Sequence, residues 1–375
     1  MTRKLMAAAG AVACVLWIAA PASASTAWRV QQVPAPANSA AQLQAVSCPM
    51  PGICFAVGYY VVAGMLTEST LAERWSGGQW AIQSTPSPGT GRIDQLTGIS
   101  CLSAIDCTAV GIISTQTTTN GTLVEHWDGT SWTVVPSPDP VDTTVADFTG
   151  VSCASATSCT AVGLYDISGS RPHELPLAEH WDGTKWTVTH VPLPTGIIAG
   201  SFDGGVSCTS ATHCIAVGDI ATPNQPSNTQ PLAERWNGTG WTVQPTPTPA
   251  SAYNPFLDAV SCSAPAHCTA VGGYLANGST GSSLVERRDN TAWTIQADAA
   301  SGGLTGVSCT SSTSCTAVGG AAEHWDGTSW TSQPLPDPHH TTRGFAVLGV
   351  SCVSAVTCTA VGFYGRTAHP VAWHE

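Results

Sequence analysis

The sequence contains few charged residues and especially few bases. Charged residues make up 10% of the 375 residues, against about a quarter in typical soluble proteins. The 12 Lys and Arg are outnumbered by 24 Asp and Glu, which gives a formal net charge of −12. Such a chain would repel a phosphate backbone, so we expect no nucleic-acid partner. Hydrophobic residues, at 43%, still provide enough apolar material for a folded core.

Several signals of catalysis and of membrane insertion are also missing from the sequence. It has no phosphate-binding GxxxxGK[ST] loop and no GxSxG nucleophile elbow. Beyond the N-terminal segment, no run is long and apolar enough for a membrane span, so we expect none.

The N-terminal segment has the features of an export signal. Arg3 and Lys4 precede an apolar run over Leu5–Ala20, and residues 22–24 form an A-x-A cleavage site. We therefore predict a signal peptide over residues 1–24, cleavage near Ala24 and secretion of residues 25–375. Cys14 leaves a lipidated cysteine open as an alternative, although its flanking residues fit such a site poorly.

Seven copies of one motif fill the rest of the chain. The consensus of the copies reads L-x-G-V-S-C-x5-C-T-A-V-G, then a variable stretch, then L-A-E-H-W-D-G-T-S-W-T-V, and the first cysteines recur every 43 to 55 residues. Propeller blades have periods of this length. Ser precedes the first cysteine in all seven copies, and Ala-Val-Gly follows the second, one residue on. The pairs are Cys48/Cys54, Cys101/Cys107, Cys153/Cys159, Cys208/Cys214, Cys262/Cys268, Cys309/Cys315 and Cys352/Cys358.

Each copy predicts four short antiparallel strands, termed a to d. They are typified by Leu304–Cys309, Cys315–Gly319, Leu177–Trp181 and Trp186–Thr189. Asp-Gly pairs, as at residues 128 and 129, suit a tight c–d turn because they accept positive φ. The two Trp that flank this turn are expected to pack against the adjacent blade. We predict an all-β, seven-bladed β-propeller over 25–375, with repeats beginning near residues 43, 96, 148, 202, 256, 304 and 347.

The two ends of the chain predict how the last blade is completed. The C-terminal copy ends with a strand-c candidate, His369–Glu375, and has no strand d. The mature N-terminus opens with an unpartnered strand-d sequence, Ala27–Pro34. The N-terminal strand is therefore expected to close the last blade, whereas an open solenoid would need capping units. In this alignment Trp373 falls where the other copies have Glu.

Two segments of the sixth copy resemble the kelch repeat of galactose-oxidase-type propellers. Ala317–Gly320 matches its double glycine after strand b, and Glu323–Trp330 matches its aromatic and acidic turn before strand d. The double glycine recurs only at residues 272 and 273, and the cysteine pair is not a kelch feature. The resemblance implies a propeller and no single function. A kelch-like copper oxidase needs a Tyr linked to an unpaired Cys, and every Cys in 25–375 has a partner. We expect no cofactor and no metal.

A C-x5-C pair could in principle be structural, redox-active or metal-binding. Zinc sites usually join two C-x2–4-C halves, whereas each pair here would lie alone at the a–b hairpin of its own blade. Export favours disulfides. We predict seven structural disulfides, each within its own hairpin.

The predicted topology puts the short a–b and c–d turns on one face and the long, variable b–c and d–a loops on the other. Function on a repeated scaffold usually lies in such loops, so we expect the site on the b–c/d–a face and at the channel mouth. Four tyrosines recur two residues after the glycine of strand b and would form an aromatic rim, or alternatively pack between blades. Loop histidines and an arginine add polar candidates. These candidate ligand-binding residues are Tyr60, Tyr165, His173, Tyr274, His339, His340, Arg343 and Tyr364.

A glutamate recurs in strand c, followed by Arg or His, in six copies. The glutamates are Glu73, Glu125, Glu179, Glu234, Glu286 and Glu323. Six symmetric catalytic acids are implausible, so we interpret them as partners in inter-blade hydrogen bonds or ion pairs and assign no catalytic residue. The sequence favours a monomeric, secreted, non-catalytic propeller that binds a glycan or an extracellular protein. The alternative is a glycoside hydrolase or lyase with its site at the channel mouth.

Overall fold

The computed structural model describes residues 27–89, 91–115, 119–167, 174–222, 225–297, 302–338 and 344–375. These residues form 29 strands and no helix, which confirms the all-β prediction. In this part of the chain, no helix is long and apolar enough to cross a membrane. The predicted signal peptide lies outside the described residues, as do His173, His339, His340 and Arg343.

The strands of the N-terminal half begin with β1, which precedes the first cysteine pair. They are β1 (Arg29–Gln32), β2 (Ser39–Met50), β3 (Ile53–Val62), β4 (Glu68–Ser76), β5 (Gln79–Gln83), β6 (Asp94–Ser103), β7 (Asp106–Thr115), β8 (Thr119–Trp127), β9 (Trp132–Val134), β10 (Thr143–Ser155), β11 (Ser158–Ile167), β12 (Leu175–Trp181) and β13 (Trp186–Val188).

The strands of the C-terminal half follow the same pattern. They are β14 (Ala199–Ser201), β15 (Val206–Ser210), β16 (His213–Thr222), β17 (Gln225–Trp236), β18 (Trp241–Gln244), β19 (Ala252–Ala264), β20 (His267–Ala276), β21 (Thr280–Asp289), β22 (Ala292–Ile295), β23 (Leu304–Ser311), β24 (Ser314–Gly319), β25 (Ala322–Trp325), β26 (Trp330–Gln333), β27 (Phe345–Ser354), β28 (Thr357–Tyr364) and β29 (His369–His374).

Each sequence repeat forms an antiparallel set of strands paired in chain order. We number these sets as units one (β2–β5), two (β6–β9), three (β10–β13), four (β14–β18), five (β19–β22), six (β23–β26) and seven (β27–β29 with β1). Units two and three are joined into one eight-stranded sheet by a single parallel pairing, Val145 with Asn120. Unit four has five strands because its first strand is split into β14 and β15, which both pair with β16. First strands are longer than predicted: β10, for example, has 13 residues, since its pairing with β11 runs on from the core into the loop face.

The N-terminal strand pairs with the C-terminal strand, as expected. β1 lies antiparallel to β29, with Arg29 opposite His374 and Gln32 opposite Val371. Hydrogen bonds join this segment to both adjacent units. The indole N–H of Trp28, just before β1, donates to Gln333 of unit six at 3.1 Å, and that of Trp80 in unit one donates to Gln31 of β1 at 2.9 Å. One short strand therefore connects units six, seven and one.

The serine before each first cysteine links neighbouring units. In each case the Ser hydroxyl accepts a hydrogen bond from the backbone N–H of the first cysteine of another unit, at 2.9 to 3.0 Å. Six of these bonds join consecutive units, as from Cys101 to Ser47. The seventh runs from Cys48 of unit one to Ser351 of unit seven. The bonds return to their starting point, which gives a physical reason for Ser at this position in every copy.

The glycine that ends each Ala-Val-Gly run lies against the first strand of its own unit. A Cβ on Gly163 would collide with the carbonyl oxygen of Asp147, and the equivalent glycines meet the same backbone position. The register shifts at this point, between Phe148 and Gly150 in unit three. The close approach of two strands at this bulge excludes any side chain.

The c–d turns have the predicted hairpin chemistry. Gly129 has a φ of 95°, and Asp128 Oδ1 accepts hydrogen bonds from the Thr130 hydroxyl and from the N–H groups of Thr130 and Ser131. These bonds, that of the Thr130 hydroxyl first, lower the pKa of Asp128 to about 2. Asp182, Asn237 and Asp326 form the same turn in other units.

The seven cysteine pairs form disulfides within their hairpins, as predicted. Such bonds are typical of an oxidising compartment outside the cytosol. The flanking Trp residues pack between units, as expected. Phe55 of unit one lies 6.0 Å from the ring of Trp127 and 6.4 Å from that of Trp132, both in unit two.

Each disulfide lies at its own hairpin, as predicted, and it is also part of the packing between units. The second cysteine of every pair is buried, at most 5% exposed, in an apolar cluster that combines side chains of two units. These buried cysteines are Cys54, Cys107, Cys159, Cys214, Cys268, Cys315 and Cys358.

The neighbouring unit also contacts several of these sulfur atoms directly. The Thr359 hydroxyl of unit seven lies 3.6 Å from Cys54 Sγ of unit one, and the Thr160 hydroxyl of unit three lies 3.5 Å from Cys214 Sγ of unit four. The second cysteine starts strand b with its side chain on the inward face, so the sulfur is part of the core. The disulfides therefore contribute to the packing between units as well as to their own hairpins.

The strand-c glutamates are fully buried. All six are 0% exposed, and among the described residues the carboxylate oxygens of Glu73, Glu125, Glu234 and Glu286 have no hydrogen-bond partner. Glu179 makes a bond of the expected kind, donated by the Ser137 hydroxyl of unit two at 2.8 Å. Glu73, Glu125, Glu234 and Glu286 form none of the expected ion pairs with the described residues.

Unit seven differs from the other units at this position. Trp373 lies opposite Ala360, as Glu73 lies opposite Ala56, which confirms the aligned register. Its side chain is 0% exposed, and its indole N–H donates to the carbonyl of Pro336 in unit six at 2.9 Å. The position therefore accepts a large apolar side chain as well as a carboxyl group.

Candidate functional site

The first strands surround a central cavity of 180 Å³. One segment of each unit lines it, and most segments run from four to two residues before the first cysteine. The segments are 44–46, 97–99, 149–151, 203–206, 258–260, 305–307 and 348–350. Side chains at one position along the repeat are thus brought together although they lie about 50 residues apart in sequence.

Threonine occupies the cavity position in units two, three and six. The hydroxyl of Thr149 lies 3.2 Å from the carbonyl of Val162 in its own unit and 2.6 Å from that of Phe202 in the next unit. Thr305 makes the same pair of bonds, at 3.2 and 2.7 Å. Thr97 bonds Val110 at 3.2 Å and also Phe148. These three threonines therefore have a structural role, since the hydroxyl of each one joins two units.

Aspartate replaces threonine in units four and five. Asp258 lies four residues before Cys262, and Asp203 lies in the segment that splits the first strand of unit four. Asp203 Oδ2 accepts a hydrogen bond from the Ser201 hydroxyl at 2.6 Å. Its side chain is exposed to the cavity, yet the surrounding protein atoms still raise its pKa.

Three more carboxyl groups lie near these two. Burial first, and then the charge of Asp203, raises the pKa of Asp147 and of Asp258 to about 7. Burial also raises the pKa of Asp219 to about 7, with further contributions from Asp203, Glu174 and Asp258. The pKa of Glu174 is raised by burial and then by Asp203. We call these five residues (Asp147, Glu174, Asp203, Asp219 and Asp258) the acidic mouth.

The acidic mouth occupies the sector of units three, four and five at the loop end of the first strands. Among the described residues, every charge that acts on these five carboxyl groups is another carboxylate. The same residues include no group of three or more His, Cys, Asp or Glu arranged to hold a metal ion. Groups with pKa values near 7 exchange protons at neutral pH, and they interact favourably with a cation.

The four predicted tyrosines lie in the packing between consecutive units. Tyr60, Tyr165, Tyr274 and Tyr364 each contact a different apolar cluster that combines side chains of two units. This position fits the second of the two interpretations given for them. Tyr364 also lies against His369, with ring centroids 5.2 Å apart. A direct role of these tyrosines in ligand binding stays a prediction.

Tyr165 additionally lines a mainly apolar pocket. This pocket has a volume of 570 Å³, and its other walls include Leu175, His190 and Leu193. Burial raises the pKa of Tyr165. Leu175, which lines this pocket, directly follows Glu174 of the acidic mouth in the sequence.

None of the five members of the acidic mouth is among the candidate ligand-binding residues chosen on sequence. Asp203 and Asp258 lie within predicted strand a, and Asp147 lies just before it, whereas the candidates were sought in the b–c and d–a loops. The signal that identifies them is a departure from the repeat: position four before the first cysteine is Thr in three copies and Asp in unit five. In unit four the Asp is displaced by one residue, because the first strand is interrupted there.

Solved structures resemble this chain in fold at low sequence identity. A structure described as YCF48 bound to D1 peptide matches with a TM-score of 0.55 and 11% identity, over 92% of this chain and 96% of that one. A protein of unknown function from Dyadobacter fermentans matches with a TM-score of 0.54 and 9% identity, over 92% and 98%. These likenesses show the fold alone, a β-propeller-like arrangement of four-stranded antiparallel sheets. No protein-family model matches the sequence, and no curated protein matches it.

Proposed function

We propose that residues 25–375 form one closed, seven-bladed propeller that is secreted after removal of residues 1–24. The hydrogen bond from Cys48 to Ser351 and the pairing of β1 with β29 support the closure. A cavity lined by one segment of every unit supports the arrangement of the seven units around a common axis. The seven disulfides support an oxidising compartment.

On this scaffold, the proposed function is non-catalytic binding of a protein segment through the loop face. The observation that carries the proposal is the acidic mouth, where five carboxyl groups interact with one another and with no cation among the described residues. A Lys or Arg side chain entering the mouth would neutralise them and restore their ionised form. The recognised segment is therefore basic, and a neutral glycan would leave the repulsion in place. A propeller-like relative that is described with a bound peptide is consistent with this mode.

A second candidate function rests on the proton exchange of the same groups. A glycoside hydrolase needs one protonated and one ionised carboxyl group on either side of the bond it cleaves. Asp147, Asp219 and Asp258, with pKa values of about 7, provide both forms at neutral pH. Products of shortened glycan would distinguish this function from binding.

The test uses purified residues 25–375 and two variants that remove acidic groups by changes the repeat already tolerates. Asp258→Thr introduces the residue found at Thr97, Thr149 and Thr305, and Asp203→Asn removes charge at constant size. A matched control, Asp326→Asn, removes one charge at a c–d turn where unit four already has Asn237. Binding of Lys- and Arg-containing peptides, of acidic peptides and of a glycan panel is measured by titration, with released sugars followed by mass spectrometry.

We expect saturable binding of basic peptides that weakens at least tenfold in Asp258→Thr and Asp203→Asn and stays unchanged in Asp326→Asn. Equal weakening in all three variants would show that only bulk charge attracts the peptide, and would overturn the proposed site. Shortened glycans from the parent protein that disappear with Asp258→Thr would favour the hydrolase. Retention of intact neutral glycan without peptide binding would replace a basic segment with a sugar as the ligand.

A further inference from the structure

The pocket beside Tyr165 lies at the loop end of unit three and shares no lining residue with the central cavity. Three pieces of chain form it: the end of β11, the start of β12 at Leu175–Leu177, and residues 188–193, which lead from β13 towards unit four. Its described lining residues are mostly Leu, Val and Pro and include no carboxylate, Lys or Arg. Its volume of 570 Å³ falls within the range of about 300–1,000 Å³ that is usual for ligand sites. We call it the apolar pocket.

Other units hold the same place together with hydrogen bonds. A Pro-x-Pro segment follows strand d in several units, and its middle residue contacts the start of strand c. In unit four the Thr246 hydroxyl of this segment donates to the carbonyl of Pro231 at 2.9 Å. In unit one the Ser87 hydroxyl accepts from the N–H of Thr70 at 3.1 Å. Unit two joins the equivalent two hydroxyl groups at 3.2 Å. In these units the segment is thus tied to strand c at the residue before its Leu.

Unit three cannot form this bond. Its Pro-x-Pro segment has Leu193 in the middle, and Pro176 occupies the strand-c position that Pro231 has in unit four. Leucine has no hydroxyl to donate, and proline has no N–H. The side chain of Leu193 instead packs against the apolar cluster of units three and four and lines the apolar pocket. The carbonyl of Pro176 therefore lacks the donor that Thr246 supplies in unit four.

Units six and seven show that similar residue types alone do not produce such a pocket. Unit six also has a leucine in its Pro-x-Pro segment, Leu335, but this side chain is only 8% exposed and packs against unit seven. Unit seven has a pocket at the same position, lined by Tyr364, Pro370 and Ala35, with a volume of only 60 Å³. A cavity of about 150 Å³ can hold a benzene ring. The apolar pocket of unit three is therefore large enough for an aromatic group, whereas that of unit seven is too small.

The apolar pocket adjoins the acidic mouth. Leu175 follows Glu174 directly, and the Glu174 carbonyl accepts a hydrogen bond from the N–H of Gly200 at 2.8 Å. A Cβ on Gly200 would lie 3.3 Å from the Leu193 side chain. Gly200 lies in β14, which leads directly to Asp203. Two walls of the pocket and two carboxyl groups of the mouth are thus held together by the same short stretches of chain, so one bound segment can contact both.

We propose that the apolar pocket takes one aromatic side chain, Trp or Tyr, of the protein segment whose basic residue enters the acidic mouth; this rests on the proposed function and adds a second feature to its ligand. A pocket without charged lining residues favours a large uncharged group, and a Lys or Arg would lose its hydration there without a counter-charge. Trp and Tyr combine such an apolar body with one hydrogen-bond donor, which needs a partner when it is buried. The carbonyl of Pro176 provides that partner in place of the missing hydroxyl.

The test compares matched peptides on residues 25–375 and on variants copied from other units, by isothermal titration. Each peptide has one Lys and, within a few residues of it, Trp, Leu or Ala at a single position. Leu193→Thr recreates the bond that Thr246 makes in unit four and closes the pocket. Ala35→Thr places the same hydroxyl in the small pocket of unit seven and is the matched control. We expect the parent to bind the Trp peptide at least tenfold more tightly than the Ala peptide. This advantage should disappear in Leu193→Thr and persist in Ala35→Thr.

A second variant fills the pocket from within the chain. Val188, which lines the pocket and is 37% exposed, is replaced in Val188→Trp, and this variant should also lose the advantage of the Trp peptide while keeping the melting temperature of the parent. Equal affinities of the Trp and Ala peptides for the parent, or an unchanged advantage in Leu193→Thr and Val188→Trp, would overturn the proposal and leave the basic segment as the ligand. A Leu peptide that binds as tightly as the Trp peptide would overturn the aromatic preference.

Asp258→Thr separates this proposal from the proposed function. We expect it to weaken the Trp and Ala peptides by the same factor, because the charge lies in the acidic mouth and the ring in the apolar pocket. Unchanged affinity of both peptides in Asp258→Thr, together with a Trp advantage that depends on Leu193, would refute the acidic mouth as the basic subsite while supporting the pocket as an aromatic site.

Discussion

Replacing Glu286 with Gln should stabilise the protein, and the gain should grow with pH. The Glu286 carboxyl group is fully buried in strand c, neither oxygen has a hydrogen-bond partner among the described residues, and burial raises its pKa from 4.5 to about 8. The folded protein therefore keeps this proton between about pH 4.5 and pH 8, while the unfolded chain releases it. Stability that depends on Glu286 is present at the low end of this window and is lost as the pH rises towards 8.

The magnitude follows from the difference between the two pKa values. One pKa unit corresponds to about 1.4 kcal/mol, so the free energy of unfolding falls by about 5 kcal/mol across the window on account of this one group. With an unfolding entropy of about 2.1 cal/mol/K per residue over roughly 350 residues, this corresponds to a melting-temperature difference of about 7 °C. Gln keeps the shape of the neutral acid and cannot ionise. Glu286→Gln should therefore match the parent near pH 4.5 and exceed it by up to about 7 °C at pH 8.

The assay is thermal unfolding followed by circular dichroism between pH 4.5 and pH 8, at constant ionic strength. Asp326→Asn is the control, because the pKa of Asp326 is lowered to about 2, chiefly by its bond with the Thr328 hydroxyl, and the residue stays ionised throughout the window. Its melting-temperature difference from the parent should not change with pH. If the difference between Glu286→Gln and the parent is also constant with pH, Glu286 is ionised in the folded state and the reasoning from burial is wrong.

Three further predictions concern the scaffold. Deletion of residues 25–36 removes β1 and the buried Trp28, and should lower the free energy of unfolding by at least about 3–5 kcal/mol, as measured by denaturant titration. Unchanged stability would contradict the role of β1 in joining units six, seven and one. Ser207→Ala removes the acceptor of the Cys262 N–H and should cost about 1 kcal/mol in the same assay, whereas a neutral result would exclude the serine bonds as a source of stability. Gly163→Ala should destabilise by about 1–3 kcal/mol or more, because its Cβ meets the Asp147 carbonyl. Gly240→Ala, where a Cβ meets nothing, should stay within about 0.5 kcal/mol; equal effects of the two would contradict the close-approach argument.

Local chemistry accounts for most of what the sequence predicts correctly. An Asp-Gly pair forms its hairpin through its own side chain and the next three residues, so Asp128 and Asp326 can be interpreted without knowing the fold. A pair such as Cys153 and Cys159 closes its own hairpin for the same reason. The closing strand required a longer argument, yet the missing strand d and the unpartnered Ala27–Pro34 sequence were sufficient to identify it.

Interactions between repeats could not be derived in the same way. The Ser before each first cysteine is plain in the sequence, but its partner lies one repeat away, and for Ser351 it lies in the first repeat. The acidic mouth shows the same limit, since Asp147, Asp203 and Asp258 are separated by more than 50 residues each and meet only around the axis. The strand-c glutamates were expected to find charged or polar partners. Glu179 finds one, whereas both carboxylate oxygens of Glu73, Glu125, Glu234 and Glu286 have none among the described residues.

The positions that break the repeat are the ones that point to function. Cys, Ser and Gly recur because each has a structural task that every unit needs, namely the disulfide, the bond between units and the close strand approach. Asp258 replaces a Thr that would join two units, and Arg288 replaces a Trp that would fill the space between them. Asp258 introduces a half-buried carboxyl group in place of that hydroxyl. Arg288 keeps the bond that Trp makes to the a–b turn, since it donates to the Pro265 carbonyl as Trp236 donates to that of Ala211. In a chain built from near-identical units, we infer that the Asp258 replacement persists because a ligand compensates the charge of the acidic mouth.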